Sequence, residues 1–519
     1  MKRLEFILLF TALIAVGIGC QAPKPSSPIE LTELTISDIH AAYQAGTFNS
    51  QQLVVAYLER IEQFDGDINA ITTINQQARI IAKGLDEEYE KTKTLRPLHG
   101  IPIIIKDNIN TKDLLTTGGS FALKDFVPDQ DAFIIKKLVD AGAIILAKSN
   151  LAEWAFSPMH TESATGGITR NPYNLDYVPA GSSGGTAASI AANLATIGLG
   201  TDTGNSIRGP SSHCALVGFR TTLGLISRSG IIPLFLRNDV VGPMGRTVED
   251  ATRTMEIMVG YDPEDQLTLN SQGKTETNYR QFLIKEGLKG SRIGVLRALS
   301  ENNIDPEVKT LFDKALRDLD SLGAVVVDPV VIPDFSTLRQ NQWCTTFRTD
   351  IEAYLATYVR RDTMQTVEDI IRVGTTSPFA KARLIANSTR NGRWQNADAE
   401  CLDAYHDTRR IAFRVAIEKV MDSLQLDAMV YPSWNHPPAR VDHFEEEYKG
   451  DNSQVISPHT GQPAFTVPMG FLQENLPVGL QFLGRMYDEP TLIKLAYSYE
   501  QGTSHRKPPV LTELGHLNK

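Results

Sequence analysis

The pattern of apolar and polar residues along this chain predicts helices and buried strands in alternation. From Ser50 to Ile61 apolar side chains recur at helical spacing, which predicts a helix capped by the serine. The apolar runs of residues 100–105 and 143–147 predict two short, fully buried strands, and a helical pattern over Asp131–Ala141 lies between them. A strand, a long crossover with a helix and another strand indicate an α/β fold with a largely parallel or mixed sheet.

The rest of the chain continues this pattern without a boundary between domains. We expect an alanine-rich helix over Ala187–Leu194, a strand over Ala195–Leu199, a late strand over Val478–Leu483 and a closing helix over Glu489–Glu500. Residues 270–430 show mostly helical patterns with polar joins. No linker or shift in composition separates these parts. The sequence therefore favours one large domain, although a chain of this length often forms two or three.

Composition narrows the class of protein. The 519 residues are 42% hydrophobic and 22% charged, which excludes a disordered tail protein and a protein with several membrane spans. Lys and Arg number 51 against 61 Asp and Glu, a formal net charge of -10, so the basic footprint of a nucleic-acid-binding protein is missing. Residues 166–230 hold 12 of the 38 glycines, which indicates that this stretch needs backbone without side chains.

The first thirty residues have the pattern of an export leader followed by a tether. Residues 1–19 combine a positive start with the uncharged run Phe6–Gly19, which is shorter than the roughly 20 residues of a membrane-spanning helix. Small residues precede Cys20, and residues 20–30 are rich in Pro and Ser, as at a bacterial lipoprotein cleavage site. We expect a removed signal peptide, a lipid attached to Cys20 and a place in the bacterial cell envelope, facing the periplasm. Ordinary signal cleavage beside an incidental cysteine is the alternative.

The remaining cysteines and the histidines do not form a metal-binding pattern. Cys214, Cys344 and Cys401 are an odd number for an exported protein, so at most one disulfide is possible, and three buried thiols are equally compatible with the sequence. The ten histidines are scattered, without an H-E-x-x-H pair or a Cys/His cluster at ligand spacing. We expect no metal and no other cofactor.

Lys106 ends the all-apolar run of residues 100–105 and is the first candidate for chemistry. Burial at the end of such a strand disfavours the charged ammonium and lowers the lysine pKa. A neutral amine is able to act as a general base. The competing interpretation is a lysine that simply reaches water from the end of a strand.

Ser182 and Ser183 form the second candidate, in a Gly/Ser-rich segment that opens the alanine-rich helix. Such a segment is often only a helix cap, but its backbone donors are also suited to hold an anion or a reacting oxygen. Residues 181–185 also satisfy G-x-S-x-G with Ser183 at the centre, the nucleophile elbow of an α/β-hydrolase. That elbow needs a strand directly before it, and residues 171–179 have the composition of a loop.

The third candidate is the loop of residues 200–210, which follows a predicted strand and contains Ser206. Consecutive backbone N–H groups in a loop of this kind are able to form an oxyanion hole. A glycine-rich surface loop is the competing interpretation.

Taken together, the three segments resemble the signature of one enzyme family. Lys106, Ser182 and Ser206 are separated by 76 and then 24 residues, each inside its own short motif. This combination is similar to the amidase signature family, in which a Ser–Ser–Lys triad takes the place of Ser–His–Asp. The resemblance extends from about Leu31 to Lys507 and implies one amidase domain over residues 31–519. It also implies the fold class, an α/β fold with a single large mixed β-sheet covered by helices on both faces.

The resemblance also implies roles for single residues. Ser206 matches the nucleophile that forms the acyl-enzyme, Ser182 the bridging serine after a cis peptide bond, and Lys106 the base. The backbone of four consecutive residues matches the oxyanion hole: Thr203, Gly204, Asn205 and Ser206. Three further residues match positions that orient this network, although capping and loop anchoring explain them equally well: Ser183, Asp202 and Arg208.

The chain departs from the family pattern at two places. The family usually has a second glycine directly before the nucleophile, where this chain has Asn205. Asparagine tolerates left-handed backbone, so we expect the loop to survive, with the Asn205 side chain turned away from the acyl site. The run Phe219–Gly224 also differs from the family's commoner Leu-Lys-Pro-Thr, which indicates a subgroup.

The implied function is an exported serine amidohydrolase that cleaves a linear carboxamide, from a small molecule or a peptide, to a carboxylic acid and ammonia or an amine. Nucleic acid is not an expected partner, and the membrane is one only through the lipid anchor. Two alternatives stay open: an α/β-hydrolase-like esterase that uses Ser183 and a histidine, and a non-catalytic binding lipoprotein of the envelope. Four aromatic residues are candidates for the acyl pocket or, equally, for the core: Trp343, Phe347, Trp394 and Trp434.

Overall fold

A mixed β-sheet of eleven strands organises residues 28–389 and 400–511, the part of the chain that this computed structural model describes. The strands are β1 (Ile71–Ile74), β2 (Pro102–Lys106), β3 (Ile144–Ser149), β4 (Glu162–Ser163), β5 (Gly167–Ile168), β6 (Ile197–Asp202), β7 (Val217–Arg220), β8 (Val240–Gly245), β9 (Arg292–Val295), β10 (Val325–Val327), β11 (Ala428–Pro432), β12 (Ala464–Phe471) and β13 (Pro477–Leu483). β4 and β5 form a separate hairpin. The others are ordered β1-β3-β2-β6-β8-β7-β12-β13-β11-β9-β10. Neighbours are parallel within β3-β2-β6 and β11-β9-β10 and antiparallel elsewhere.

Helices connect and cover these strands. The α-helices of the described residues are α1 (Ile36–Ala45), α2 (Ser50–Ile68), α3 (Ala78–Thr92), α4 (Phe133–Asp140), α5 (Gly184–Ala191), α6 (Arg208–His213), α7 (Val248–Met258), α8 (Pro306–Ser321), α9 (Phe335–Leu338), α10 (Phe347–Tyr354), α11 (Val367–Val373), α12 (Pro378–Ser388), α13 (Thr408–Ser423), α14 (Phe444–Glu447), α15 (Ser457–Thr460) and α16 (Glu489–Thr503).

The central strands are buried on both faces, because different helices pack against each side. Every residue of β2, β3, β6 and β8 is buried, although successive side chains point to opposite faces. A β-carbon on Gly198 of β6 would overlap Thr186 of α5, so α5 lies on that face. The preceding Ile197 points the other way, towards Gly245 and the start of α7. The predicted fold class, a single large mixed sheet covered by helices on both faces, is confirmed.

The parallel strands β2 and β6 bring the candidate residues to one edge of the sheet. Ile103–Ile105 pair with Ile197–Leu199, so both strands end side by side. Lys106 is the last residue of β2, and β6 ends at Asp202. Side chains at the carboxyl ends of neighbouring parallel strands share a crevice, which is the usual place for a ligand in an α/β sheet.

Most predicted elements are confirmed with shifts of a few residues at their ends. The helix expected from Ser50 is α2, but its N-cap is Asn49, whose side chain accepts from the Gln52 amide at 2.9 Å. The prediction of mostly helices for residues 270–430 is wrong in part, because β9, β10 and the start of β11 lie there. Runs of three to five apolar residues fit both periodicities, and these strands pair only with partners far away in the sequence.

The cysteines resolve one alternative. Cys344 and Cys401 form a disulfide, and Cys214 is a buried free thiol. The signal peptide of residues 1–19 and the lipid attachment at Cys20 lie outside the described residues. Among the residues that are described, no helix combines the length and the apolar character needed to cross a bilayer.

Candidate active site

Lys106 is fully buried at the end of β2, and its amine contacts hydroxyl groups. The Nζ atom lies 2.8 Å from Ser182 Oγ and 2.8 Å from Thr201 Oγ1. No carboxylate of the described residues forms an ion pair with it. Burial lowers the pKa of Lys106 to about 7, and the charges of Asp202 and Asp239 only partly oppose that effect. At neutral pH a large fraction of Lys106 is therefore a neutral amine that is able to accept a proton.

Ser182 lies at the start of α5 and is reached through a cis Gly181–Ser182 peptide bond. A β-carbon on Gly181 would overlap the carbonyl oxygens of Ser157 and His160, so only glycine fits there. The Ser182 carbonyl accepts from the Ala152 amide at 3.1 Å. These contacts fix the backbone that directs the Ser182 hydroxyl at Lys106.

Ser206 lies in the loop between β6 and α6, where four consecutive backbone amides are free to bind a ligand. Within the described residues, the N–H groups of residues 203–206 find no acceptor, and buried amides are normally paired. The side chain of Ser206 itself is only 4% exposed. The arrangement has the donors and the hydroxyl that an oxyanion hole beside a nucleophile requires.

The bridging role matched to Ser182 implies a hydrogen bond to Ser206 in addition to the one with Lys106. No hydrogen bond joins the Ser182 and Ser206 hydroxyls among the described residues. Ser206 Oγ instead donates to Asn205 Oδ1 at 3.4 Å, and Asn205 Nδ2 donates to the Pro158 carbonyl at 3.2 Å. We expected the Asn205 side chain to turn away from the acyl site, and this is wrong. Its amide group bridges Pro158 and Ser206, so its oxygen contacts the Ser206 hydroxyl.

Asp202 anchors the loop that carries Ser206, and two buried guanidinium groups hold its carboxylate. Its carboxylate accepts from Arg208 Nε at 3.1 Å, from Arg220 Nη1 at 2.7 Å and from the Ile207 amide at 3.2 Å. Burial alone would raise the pKa of Asp202, but the two arginines hold it at about 2. Arg208 also donates to the Gly204 carbonyl at 2.6 Å. Asp202 and Arg208 thus tie the backbone of residues 204 and 207 together.

Ser183 lies beside the site without the partner that an elbow nucleophile needs. Its hydroxyl donates to the Thr201 carbonyl at 3.1 Å and is fully buried. No histidine of the described residues contacts it, and residues 178–182 before it are not a strand. The geometry gives Ser183 an anchoring contact to β6.

Sequence reasoning missed three contributors to the site. Thr201 contacts the Lys106 amine, Asn108 Nδ2 donates to Thr201 Oγ1 at 3.1 Å, and Arg220 holds Asp202. Thr201 lies inside the loop of residues 200–210 and Asn108 lies two residues after Lys106, so only their contacts were hidden. Arg220 stood out as a departure from the family pattern, and its burial beside a carboxylate was the missing information.

The four aromatic candidates have different surroundings. The Cη2 atom of Trp343 lies 3.1 Å from the position of a β-carbon built on Gly204, so this residue borders the oxyanion loop. Phe347 is buried against Phe156, with ring centroids 4.8 Å apart, as part of an apolar cluster. Trp434 is buried against His213 at 4.5 Å. Trp394 lies outside the described residues.

Known proteins share both the sequence and the architecture of this chain. A family model described as Amidase matches residues 52–493. A probable amidase of Arabidopsis thaliana is 35% identical over an alignment of 526 positions, which covers 97% of this chain and 96% of the plant protein. One subunit of the glutamyl-tRNA(Gln) amidotransferase of Alkaliphilus metalliredigens is 33% identical over an alignment of 492 positions, which covers 91% of this chain and 97% of that relative. The native peptide amidase of Stenotrophomonas maltophilia superimposes with a TM-score of 0.80 at 34% identity and covers 92% of this chain and 99% of its own.

Proposed function

The chain belongs to the amidase family and hydrolyses amide C–N bonds, and from that premise we propose that it is a serine amidohydrolase with Ser206 as nucleophile. Its substrate is a linear carboxamide, which it converts to a carboxylic acid and ammonia or an amine through an acyl-enzyme. The observation that carries this proposal is the buried Lys106 amine, which lies 2.8 Å from Ser182 Oγ and has no carboxylate partner in the described residues.

Lys106 and Ser182 supply the proton path. A serine hydroxyl is a weak nucleophile until a base takes its proton. In the proposed step the Ser206 hydroxyl turns from Asn205 to Ser182, Ser182 accepts its proton, and Lys106 accepts the proton of Ser182. Ser206 Oγ then bonds to the substrate carbonyl carbon, and the carbonyl oxygen takes the negative charge.

The loop amides and the returning proton complete the reaction. The N–H groups of Thr203, Gly204, Asn205 and Ser206 donate to the oxyanion. When the C–N bond breaks, the proton passes back from Lys106 through Ser182 to the leaving nitrogen. Water then attacks the acyl-enzyme along the same path, which releases the acid and restores Ser206. Ser183, Asp202 and Arg208 keep the segments that carry Ser182 and Ser206 in place.

Ammonia release from simple carboxamides tests this proposal. Aliphatic, aromatic and C-terminal peptide amides are assayed side by side. We expect the wild type to release ammonia from at least one of them. Ser206→Ala should lose at least about 10³-fold in kcat, whereas Ser183→Ala should stay within about tenfold of wild type. An active Ser206→Ala enzyme, or an inactive and folded Ser183→Ala enzyme, would reject the assignment of the nucleophile. A folded wild type that releases no ammonia from any amide would favour the non-catalytic binding protein.

We also propose that the protein is exported and anchored by a lipid on Cys20, facing the periplasm. The leader pattern of residues 1–19 supports this, and so does the Cys344–Cys401 disulfide, since such bonds persist mainly in oxidising compartments. Metabolic labelling with a radioactive fatty acid and fractionation of a Cys20→Ala variant test it. Label in the wild type and a soluble, unlabelled variant are expected, and an unlabelled cytoplasmic wild type would contradict the proposal.

A further inference from the structure

Gln454 and Trp343 flank Gly204, the residue two positions before the nucleophile. A β-carbon built on Gly204 would lie 3.2 Å from Gln454 Oε1 and 3.1 Å from Trp343 Cη2. Both side chains therefore border Gly204 in the direction in which a side chain of that residue would project. A substrate group that extends past Gly204 in this direction would meet the carboxamide and the indole ring.

The Gln454 carboxamide has a fixed orientation. Its Nε2 atom donates to Asp451 Oδ2 at 2.8 Å and to the Tyr448 hydroxyl, and Tyr448 donates to the same carboxylate oxygen at 3.1 Å. Burial raises the pKa of Asp451 to about 7, so above that pH its carboxylate accepts hydrogen bonds and donates none. The nitrogen of the amide therefore faces Asp451 and its oxygen faces Gly204. Among the described residues, Oε1 has no donor of its own, so the loop is bordered by an acceptor that a neighbouring acid orients.

Trp343 is also held in place by the chain on both sides of it. The Gln342 and Cys344 carbonyls accept from Arg237 Nη1 at 3.3 and 3.4 Å, and Cys344 is bonded to Cys401. The indole packs edge-on against His459, with centroids 4.6 Å apart, and the residue is still 42% exposed. A large ring kept partly in solvent beside the loop provides a flat apolar surface for a substrate group.

The direction of the substrate follows from the proton path. The leaving nitrogen must face Ser182 and Lys106, which return its proton, so the acyl part extends from the carbonyl carbon away from these two residues. We propose that Gln454 Oε1 there accepts a hydrogen bond from an N–H on the acyl side of the substrate, and that Asp451 is the positioning residue for this acceptor. The substrate class is then N-acylated amino-acid amides, including peptide amides, with an apolar side chain against Trp343. This inference rests on the function proposed above.

A pair of matched amides tests the acceptor. N-acetylphenylalaninamide carries the N–H, and O-acetylphenyllactamide has an ester oxygen in its place with nearly the same shape. Ammonia release, measured above the pKa of Asp451, reports only the carboxamide bond of each. We expect wild type to prefer the first by at least about tenfold in kcat/KM, since Oε1 gains a hydrogen-bond donor from the N–H and meets a second acceptor in the ester oxygen. In Gln454→Leu the preference should fall below about threefold, while kcat for the ester analogue stays near wild type.

Control variants separate recognition from a general loss of structure. Gln473→Leu changes an exposed glutamine whose side chain contacts none of these groups and should keep the full preference. Asp451→Asn removes the obligatory acceptor, so Gln454 is free to turn over, and the preference should fall about threefold with kcat for the ester analogue unchanged. A full preference in Gln454→Leu, or no preference in wild type, overturns the role of Gln454, and a full preference in Asp451→Asn overturns that of Asp451.

Binding without turnover distinguishes failure of this inference from failure of the proposed function. The Ser206→Ala variant should bind the N–H amide at least about fivefold more tightly than the ester analogue by calorimetry, and adding Gln454→Leu should remove the difference. If the wild type released no ammonia but this binding difference were observed, the proposed hydrolysis would be rejected and the role of Gln454 as acceptor would stand. Equal dissociation constants, or no binding of either amide, would overturn the inference whatever the turnover.

Discussion

Two fully buried lysines lie at or next to the carboxyl ends of neighbouring strands, and their amines have different partners. Lys106 on β2 pairs in register with Ser149 of β3, and Lys148 of β3 pairs with Ile105. The offset of one residue sends the two amines to opposite faces of the sheet. Lys106 meets the hydroxyls of Ser182 and Thr201. Lys148 lies 3.6 Å from the Asp107 carboxylate and donates to Thr116 Oγ1 at 2.8 Å.

The difference shows what separates a base from a structural cation. Burial lowers the pKa of both lysines, to about 7 for Lys106 and to about 8 for Lys148. Asp107 favours the charged form of Lys148, and the same buried carboxyl has its own pKa raised by burial. Lys106 has no such partner among the described residues, so it is the amine that gives up its charge near neutral pH. In the proposed function Lys106 is suited to act as the base because hydroxyl groups, and no carboxylate of the described residues, face its amine.

The largest expected effect is the loss of turnover on removing the base. Lys106→Met should reduce kcat by at least about 10³-fold, and combining it with Ser206→Ala should add little, because the two groups act as one unit. The free energy of unfolding of this variant should fall by less than about 1 kcal/mol or should increase, since a buried amine without an ion-pair partner is replaced by an apolar side chain. Ammonia release and urea unfolding measure both quantities. Turnover near wild type in Lys106→Met would show that the base is elsewhere.

The same substitution at the second lysine should reverse the pattern. Lys148→Met leaves the Asp107 carboxylate buried without its cation, which should lower the free energy of unfolding by about 3–5 kcal/mol. Adding Asp107→Asn should recover part of that loss. The double variant should keep kcat within about tenfold of wild type once it is folded, as judged by urea unfolding and ammonia release. A stable Lys148→Met with no turnover would mean that the two lysines exchange roles.

The pH dependence of kcat/KM distinguishes the two amines without any substitution. The pKa of Lys106 is lowered to about 7, so it is neutral and active above that pH and protonated below it. We expect kcat/KM to fall about tenfold per pH unit below an apparent pKa near 7. The Lys148→Met/Asp107→Asn double variant should show the same acid limb. An acid limb near pH 4, typical of a carboxylate, would contradict the assignment of Lys106.

The smallest expected effects come from the threonine beside each lysine. Thr201→Val removes a hydroxyl 2.8 Å from the Lys106 amine and should lower kcat by about tenfold. Thr116→Val removes the equivalent contact of Lys148 and should cost about 1 kcal/mol of stability with kcat unchanged. Steady-state kinetics and urea unfolding on both variants provide the check. Equal effects on kcat would remove the functional distinction between the two lysines.

The sequence led to the fold around this site more reliably than to the contacts within it. The β2–α4–β3 unit and the β6 strand follow from long apolar patterns, and these elements set the edge where Lys106 and Asp202 lie. The short strands β9 and β10 carry no periodicity that distinguishes them from helix, and their pairing partners are fixed by the assembled sheet.

Two features of the site depend on distances that no pattern contains. The partner of each lysine is fixed by strand register, and a shift of one residue would have exchanged their faces. The bridge from Pro158 through Asn205 to Ser206 joins two segments that are far apart in the sequence, since Asn205 comes 47 positions after Pro158. The resemblance to the family indicated the triad, but not that the Ser206 hydroxyl contacts Asn205.

The identity of the nucleophile is the central claim, and a covalent probe tests it most directly. The purified protein is treated with a fluorophosphonate, and the adduct is located by peptide mass spectrometry. We predict a single adduct on Ser206 that is absent in Ser206→Ala, forms much more slowly in Lys106→Met, and forms normally in Ser183→Ala. An adduct on Ser183, or none under conditions in which other serine hydrolases react, would contradict the account.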